Sequence, residues 1–154
     1  MPYAYDPAPW QNFYVMMGTA NAAITGLVFV ALSIHLRDVL KHPALRPRAV
    51  LALVVLTTQI VIAAIVLTPQ AHELMGWEIL AINSIFLVAN WRNRPAITVN
   101  GATVFTAVIR VAYTYAPLSL ILGVGGGFYA LAVVIVLTLA RTMISCWTLL
   151  TALE

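Results

Sequence analysis

Residues 131–153 read LAVVIVLTLARTMISCWTLLTAL, an apolar run with one charged residue, Arg141. The hydrocarbon core of a bilayer is about 30 Å thick, and a helix of about 20 residues crosses it. The run is therefore predicted to be a transmembrane helix. Its arginine would lie close to the membrane midplane, where a charged side chain needs a partner, water or a route to the lipid headgroups.

The composition extends this prediction to the whole chain. Of the 154 residues, 62% are hydrophobic and 8% are charged, and the mean hydropathy is +0.96. Soluble domains carry about 25% charged residues and are about half apolar. This excess of apolar side chains argues against a soluble protein. The net charge of +3 is therefore no sign of nucleic-acid binding.

Five apolar stretches are predicted to span the membrane, at residues 13–36, 50–68, 75–90, 103–122 and 128–152. The third is short, and Glu73 and Glu78 lie near its start. The predicted fold is all-α: a polytopic transmembrane helix bundle of about five spans in a single domain, residues 1–154. The sequence GVGGG, residues 123–127, is interpreted as the tight turn between the last two spans, because glycine adopts turn conformations easily.

The loop charges predict an orientation. Six cations follow the first and third spans: Arg37, Lys41, Arg46, Arg48, Arg92 and Arg94. The N-terminal segment and the loop after the second span hold no Lys or Arg. Cytoplasmic loops carry an excess of these residues, so the N-terminus is expected outside and the C-terminus in the cytoplasm.

A ridge of small residues in the first span predicts a helix-packing interface. Gly18, Ala22 and Gly26 recur every four residues, and Asn21 and Thr25 form a polar pair beside them. Lipid tails are as apolar as leucine, so helices in a bilayer associate through close backbone approach and polar contacts. The interface is expected either within one subunit or between the subunits of a homo-oligomer.

Two polar stripes carry arginines and form the candidate ligand-binding set. Thr138, Arg141 and Ser145 share one face of the fifth span, and Arg110 and Tyr113 share one face of the fourth. Polar side chains within a membrane face protein or water rather than lipid. In one interpretation the arginines reach lipid phosphates on their long stems. In the other they form a cationic, inward-facing vestibule for an anion or a lipid headgroup.

No residue pattern indicates an enzyme. His35 and His42 lie near Asp38, but their spacing of seven residues, with Pro43 following, favours a hydrated helix end over a metal site. The chain has no nucleophile elbow and no phosphate-binding loop. We therefore expect no catalytic residue, no metal and no cofactor.

Several blocks of the sequence resemble a known group of proteins. They are WQNFYVMMGTANAAITGLVFVALSIHLRD at residues 10–38, RPRA at 46–49, GGGFYALA at 125–132 and ISCWTLL at 144–150. The group consists of small, largely actinobacterial polytopic membrane proteins, mostly without an assigned activity, some labelled modulators of a membrane protease. The resemblance implies a bacterial plasma-membrane location and a regulatory membrane-protein partner, and it adds no functional residue.

Two functions are compatible with these patterns. The leading hypothesis is a non-enzymatic accessory or regulatory role through helix–helix interfaces, which the small-residue ridge favours. The alternative is a homo-oligomeric channel or transporter with a cationic inner vestibule, which the stripes with Arg110 and Arg141 favour. The expected partners are membrane lipids and either further copies of the chain or another membrane protein.

Overall fold

A computed structural model describes residues 4–42, 45–91 and 101–151. In these ranges the chain is helical and contains no strand. Its α-helices are α1 (Gln11–Ile34), α2 (Leu36–Lys41), α3 (Leu45–Leu67), α4 (His72–Trp91), α5 (Gly101–Leu122) and α6 (Gly127–Thr151). The predicted loop cations Arg92 and Arg94 lie outside the described residues.

Each predicted span overlaps one long helix. Within the described residues, four helices are long and apolar enough to cross a membrane: Ala8–Ile34, Leu45–Leu67, Val104–Leu122 and Gly127–Thr148. The prediction of an all-α bundle with several potential membrane spans is thus confirmed. The helix α4, which has 20 residues, is not among the four.

A ring of four helices forms the centre of the fold. The helix α3 packs against α4 and α6, and α5 packs against the same two helices. Outside this ring, α1 lies against α3 and makes a smaller contact with α6. The short α2 follows α1 after a break at His35 and contacts α3.

The two ends of the bundle are called here the turn end and the arginine end. The turn end holds the connections at residues 68–71 and 123–126. At the arginine end, α3 and α5 begin and α4 and α6 finish. Arg48 lies in the first turn of α3 at this end.

The half of the bundle near the turn end has a close-packed core. Its members are almost fully buried: Tyr14, Met17, Ile62, Val66, Met75, Ile79, Ala116, Leu120, Phe128, Leu131 and Ile135. The rings of Trp10 and Phe128 stack at a centroid distance of 6.3 Å. Trp10 also meets Tyr129 edge to face at 4.7 Å. Aromatic and aliphatic side chains therefore close this half of the bundle.

The glycine turn lies between α5 and α6, as predicted. Gly123, Gly125 and Gly126 have φ angles of +64°, +90° and +78°, which other residues rarely adopt. The Tyr115 hydroxyl donates to the Gly125 carbonyl at 3.0 Å. The N–H of Gly126 donates to the hydroxyl oxygen of Tyr5 at 2.8 Å, which attaches the N-terminal segment to the turn end.

The helices α4 and α5 cross closely around a proline inside α5. Pro117 has no N–H, so the carbonyl of Tyr113, four residues earlier, lacks its helical partner. Asn83 of α4 donates to this carbonyl at 3.4 Å. A Cβ atom at Gly76 would lie 2.8 Å from the Pro117 carbonyl oxygen and 2.7 Å from Cγ1 of Ile121. Glycine is therefore required for this crossing.

Candidate anion-binding cavity

A cavity of about 470 Å³ lies among α3, α4, α5 and α6. It extends from Arg48 and Thr148 near the arginine end to Ile62 and Ile79, which belong to the packed core. Ligand sites in proteins commonly measure about 300–1,000 Å³. The cavity thus occupies the centre of the four-helix ring in the half near the arginine end, where the described residues form no close-packed core. It is large enough for a small organic molecule.

Three arginines from three helices line the cavity: Arg48 of α3, Arg110 of α5 and Arg141 of α6. None of the described lining residues is Asp or Glu. A guanidinium group stays charged across the physiological pH range, and its planar set of donors suits carboxylate and phosphate oxygens. The cavity is therefore strongly cationic, and no described carboxylate in its lining neutralises it.

Arg141 is held in place by α5. Its Nη2 donates a hydrogen bond to Oγ1 of Thr106 at 3.1 Å. Its Cζ lies 6.0 Å from the centroid of the Phe105 ring, at the limit of a cation–π contact. The Arg141 side chain is half-buried, whereas Arg48 and Arg110 are exposed. Arg141 is therefore the most constrained of the three.

The structure brings the whole predicted ligand-binding set into this cavity. The lining includes Arg110, Tyr113, Thr138, Arg141 and Ser145. The Ser145 hydroxyl donates to the Arg141 carbonyl at 3.0 Å, which leaves its oxygen able to accept. The two stripes that periodicity places on separate helices thus border one space, within a single chain.

The deepest polar side chains of this region cluster around Tyr113. Thr138 and Gln59 are 8% and 2% exposed. Neither the Thr138 hydroxyl nor the Gln59 side-chain amide makes a hydrogen bond of regular geometry, but both lie within hydrogen-bonding reach of the Tyr113 phenol. Buried polar groups are normally paired, and the Tyr113 phenol is the partner that this cluster offers to both side chains.

The predicted packing ridge on α1 is divided between two environments. Gly18 packs within the chain, because a Cβ atom there would lie 3.2 Å from Cβ of Ala63 on α3. Ala22 is exposed, and a Cβ atom at Gly26 would meet nothing within 4 Å. One part of the ridge thus packs inside the subunit, and the other leaves an open surface on α1.

The polar pair beside this ridge forms bonds within its own helix. Asn21 Nδ2 donates to the Met17 carbonyl at 2.7 Å, and Thr25 Oγ1 donates to the Asn21 carbonyl at 2.6 Å. Asn21 is fully buried, and its Oδ1 has no partner among the described residues. The two side chains therefore make local bonds rather than the expected bonds across an interface.

The chain shows no clustered metal ligands in its described ranges. No three His, Cys, Asp or Glu side chains come together there. Nδ1 of His35 lies 3.1 Å from the Ala31 carbonyl oxygen of its own helix. The side chain of Asp38, which the sequence places near both histidines, lies outside the described residues.

No family model, curated protein or solved structure matches this chain. The resemblance to small bacterial membrane proteins therefore remains a prediction. The cavity and its arginines are the features from which a function can be inferred.

Sequence reasoning missed the third arginine of the cavity. It places Arg48 in a loop, because the second span is predicted to begin at residue 50, whereas α3 begins at Leu45. Pro47 is the signal for this earlier start, since proline is favoured in the first turn of a helix. Once the helix begins there, Arg48 and Thr58 fall on the face of α3 that lines the cavity.

Proposed function

We propose that the protein binds an organic anion in this cavity and carries it across a membrane. The observation that carries this proposal is the meeting of three arginines in a cavity whose described lining holds no acidic residue. A charge near the bilayer centre costs about 2.5–3.5 kcal/mol on insertion scales. A bound carboxylate or phosphate would offset this cost for Arg110 and Arg141.

The proposal includes five membrane spans, with α4 as the third. The helix α4 is nearly as long as its neighbours and packs along α5, where Gly76 and Asn83 make close contacts. The cations Arg37, Lys41 and Arg46 follow α1 or begin α3, at the arginine end. By the excess of positive charge in cytoplasmic loops, this end lies in the cytoplasm, and the cavity opens there from a bacterial plasma membrane.

A carrier fits this form of the bundle better than an open pore. The core around Tyr14 and Phe128 fills the half near the turn end, so the cavity has no continuation through it. A carrier of this kind would open the turn end only after the cavity is occupied. The ligand-binding space lies inside one chain, so a ring-shaped oligomer is not needed to form it.

The test is uptake of a radiolabelled alkyl sulfonate into proteoliposomes, because this permanently charged anion does not cross lipid in a protonated form. Uptake by the native chain is expected to exceed that of empty vesicles. It should fall strongly in Arg110→Ala and Arg141→Ala. The matched control is Arg46→Ala, an exposed arginine near the start of α3 that does not line the cavity. Uptake that is equal in all four proteins, or absent from all, would contradict the proposal.

A second function is favoured by the open surface of α1. Ala22 and Gly26 face away from the rest of the chain, and small residues let a second helix approach closely. An accessory role, in which α1 docks on a helix of another membrane protein or of a second copy, would use this surface. Gly26→Leu is expected to abolish such association and to leave anion uptake unchanged. Cross-linking in native membranes measures the first effect and the uptake assay the second.

A further inference from the structure

Arg48 lies at a different depth in the cavity from Arg141. Arg48 is three residues from the start of α3, and Arg141 is ten residues from the end of α6. At about 1.5 Å per residue, their backbones lie about 4.5 Å and about 15 Å from the arginine end. The two positively charged residues are therefore separated by about 10 Å along the bundle axis, before the reach of their side chains is counted.

The cavity wall between these two levels is apolar along α3, with the hydroxyls of Thr106 on α5 and Ser145 on α6 at the same depth. Leu51, Ala52 and Val55 continue the face of α3 inward from Arg48, and Phe86 and Ile109 line the same space from α4 and α5. The apolar side of this wall suits an aliphatic or aromatic segment. The cationic groups at both depths and the apolar wall between them describe a ligand with polar ends and an apolar middle.

From this arrangement we infer that the ligand is a dianion whose two oxyanion groups are separated by an apolar chain. Arg110, nine residues from the start of α5, binds the inner oxyanion group together with Arg141, and Arg48 binds the outer one. This inference rests on the proposed function and adds to it the charge and the length of the ligand. The oxyanion groups are carboxylates or phosphates, which present the same oxygen pairs to a guanidinium group.

The charge of the cavity supports two anionic groups rather than one. A single carboxylate would leave two of the three guanidinium groups without a counter-charge, since the described lining supplies no acid. Arg48 is exposed at the mouth, so its contribution to binding is expected to be modest and sensitive to salt. A second anionic group at the mouth would give it a partner.

The experiment compares octanoate with octanedioate, two acids with the same carbon chain and one or two carboxylates. Binding is measured by titration calorimetry in nanodiscs, with empty nanodiscs as the correction for partitioning. We expect octanedioate to bind the native chain about fivefold more tightly, from one additional charge-assisted contact in a partly solvated site. Butanedioate, which is too short to join the two levels, should show no such advantage.

The variant Arg48→Ala tests which residue causes the preference. Octanedioate and octanoate should then bind equally well, because the outer cation is gone. Arg46→Ala is the matched control, since it removes the same charge two residues away and outside the cavity lining. Both positions are exposed at the start of α3, so neither change is expected to disturb folding.

The outcomes separate this inference from the proposed function. In one outcome, the native chain binds the two acids equally well and loses both in Arg141→Ala. That result would contradict a dianionic ligand but would agree with the proposed anion carrier. A preference for octanedioate that persists in Arg48→Ala but disappears in Arg46→Ala would also contradict a dianionic ligand. It would show that a positive charge outside the cavity, at the start of α3, causes the preference. Binding of neither acid would contradict both.

Discussion

Nη2 of Arg141 donates a hydrogen bond to Oγ1 of Thr106 at 3.1 Å, from α6 to α5. This contact turns the guanidinium group towards a neighbouring helix and the cavity instead of the lipid. A side chain that reached lipid phosphates would need no acceptor on another helix. The contact also joins the two stripes that the sequence predicts on separate spans.

Because Arg141 is held in place, the planar set of donors on its guanidinium group should be important for anion binding. We expect Arg141→Lys to weaken octanoate binding by about five- to tenfold, because a lysine keeps the charge but loses the paired donors. Calorimetry in nanodiscs measures the change. Arg46→Lys, outside the cavity, should have no effect, and an equal loss in both variants would mean that the paired donors of Arg141 do not bind the anion.

Anion binding by the native chain should be independent of pH between about 6 and 9, because arginine remains protonated throughout. Arg141→His should introduce a dependence. A histidine has an ordinary pKa of about 6.5, so this variant should bind octanoate below that pH and lose affinity above it. Titrations at several pH values measure the difference. A native chain that loses affinity in this range would indicate that a group other than the three arginines controls binding.

The bond from Asn83 to the Tyr113 carbonyl should stabilise the crossing of α4 and α5. Asn83→Leu removes the donor to a carbonyl that Pro117 leaves without a helical partner. We expect a loss of about 0.6 kcal/mol in the free energy of unfolding, typical of a hydrogen bond between membrane helices. Unfolding in mixed micelles measures it. Ser84→Ala is the control, because the Ser84 hydroxyl bonds to Leu80 of its own helix and its loss should be smaller.

Gly76 should tolerate no side chain, in contrast to Gly26. A Cβ atom at Gly76 would lie within 3 Å of Pro117 and Ile121, whereas one at Gly26 would meet nothing. Gly76→Ala is expected to lower the free energy of unfolding by about 1–3 kcal/mol, as overpacking does. Gly26→Ala should be neutral or slightly stabilising, because alanine is the better helix former. Equal effects of the two changes would mean that helix propensity, and not the crossing, decides the outcome.

The poorly bonded, buried hydroxyl of Thr138 should lower the stability of the protein. Thr138→Val removes a buried hydroxyl that makes no hydrogen bond of regular geometry, although the Tyr113 phenol lies within reach. The change is expected to raise the free energy of unfolding by about 1 kcal/mol. Thr142→Val is the matched control one turn further along α6, where the hydroxyl donates to the Thr138 carbonyl at 2.8 Å. This second change should be neutral or destabilising. A loss of stability in Thr138→Val would show that its hydroxyl is paired in the membrane.

The positions of the helices could be predicted from the sequence because apolar length alone marks a potential membrane span. The error at the start of α3 has a local cause: Arg46 and Arg48 interrupt the apolar pattern, although Pro47 there favours the first turn of a helix. The two charged residues set the first residue of the apolar run, but the helix itself begins before them.

The residues of the candidate site could be identified from the sequence, but the cavity that they share could not be predicted. Helical periodicity places Arg110 with Tyr113, and Arg141 with Thr138, on single faces. It does not specify that α3 completes the ring or that α1 remains outside it. The contact between Asn83 and the Tyr113 carbonyl could have been anticipated, because Pro117 frees that carbonyl by a fixed offset of four residues.

The closed turn end determines where the membrane potential acts on the transport cycle. A charge that crosses the whole potential changes in energy by about 2.3 kcal/mol per 100 mV, but a solvent-accessible vestibule supports little of the voltage drop. In the proposed orientation the field is therefore concentrated across the layer around Trp10 and Phe128. Voltage should then leave anion binding nearly unchanged and accelerate the outward release of the anion when the cell interior is negative.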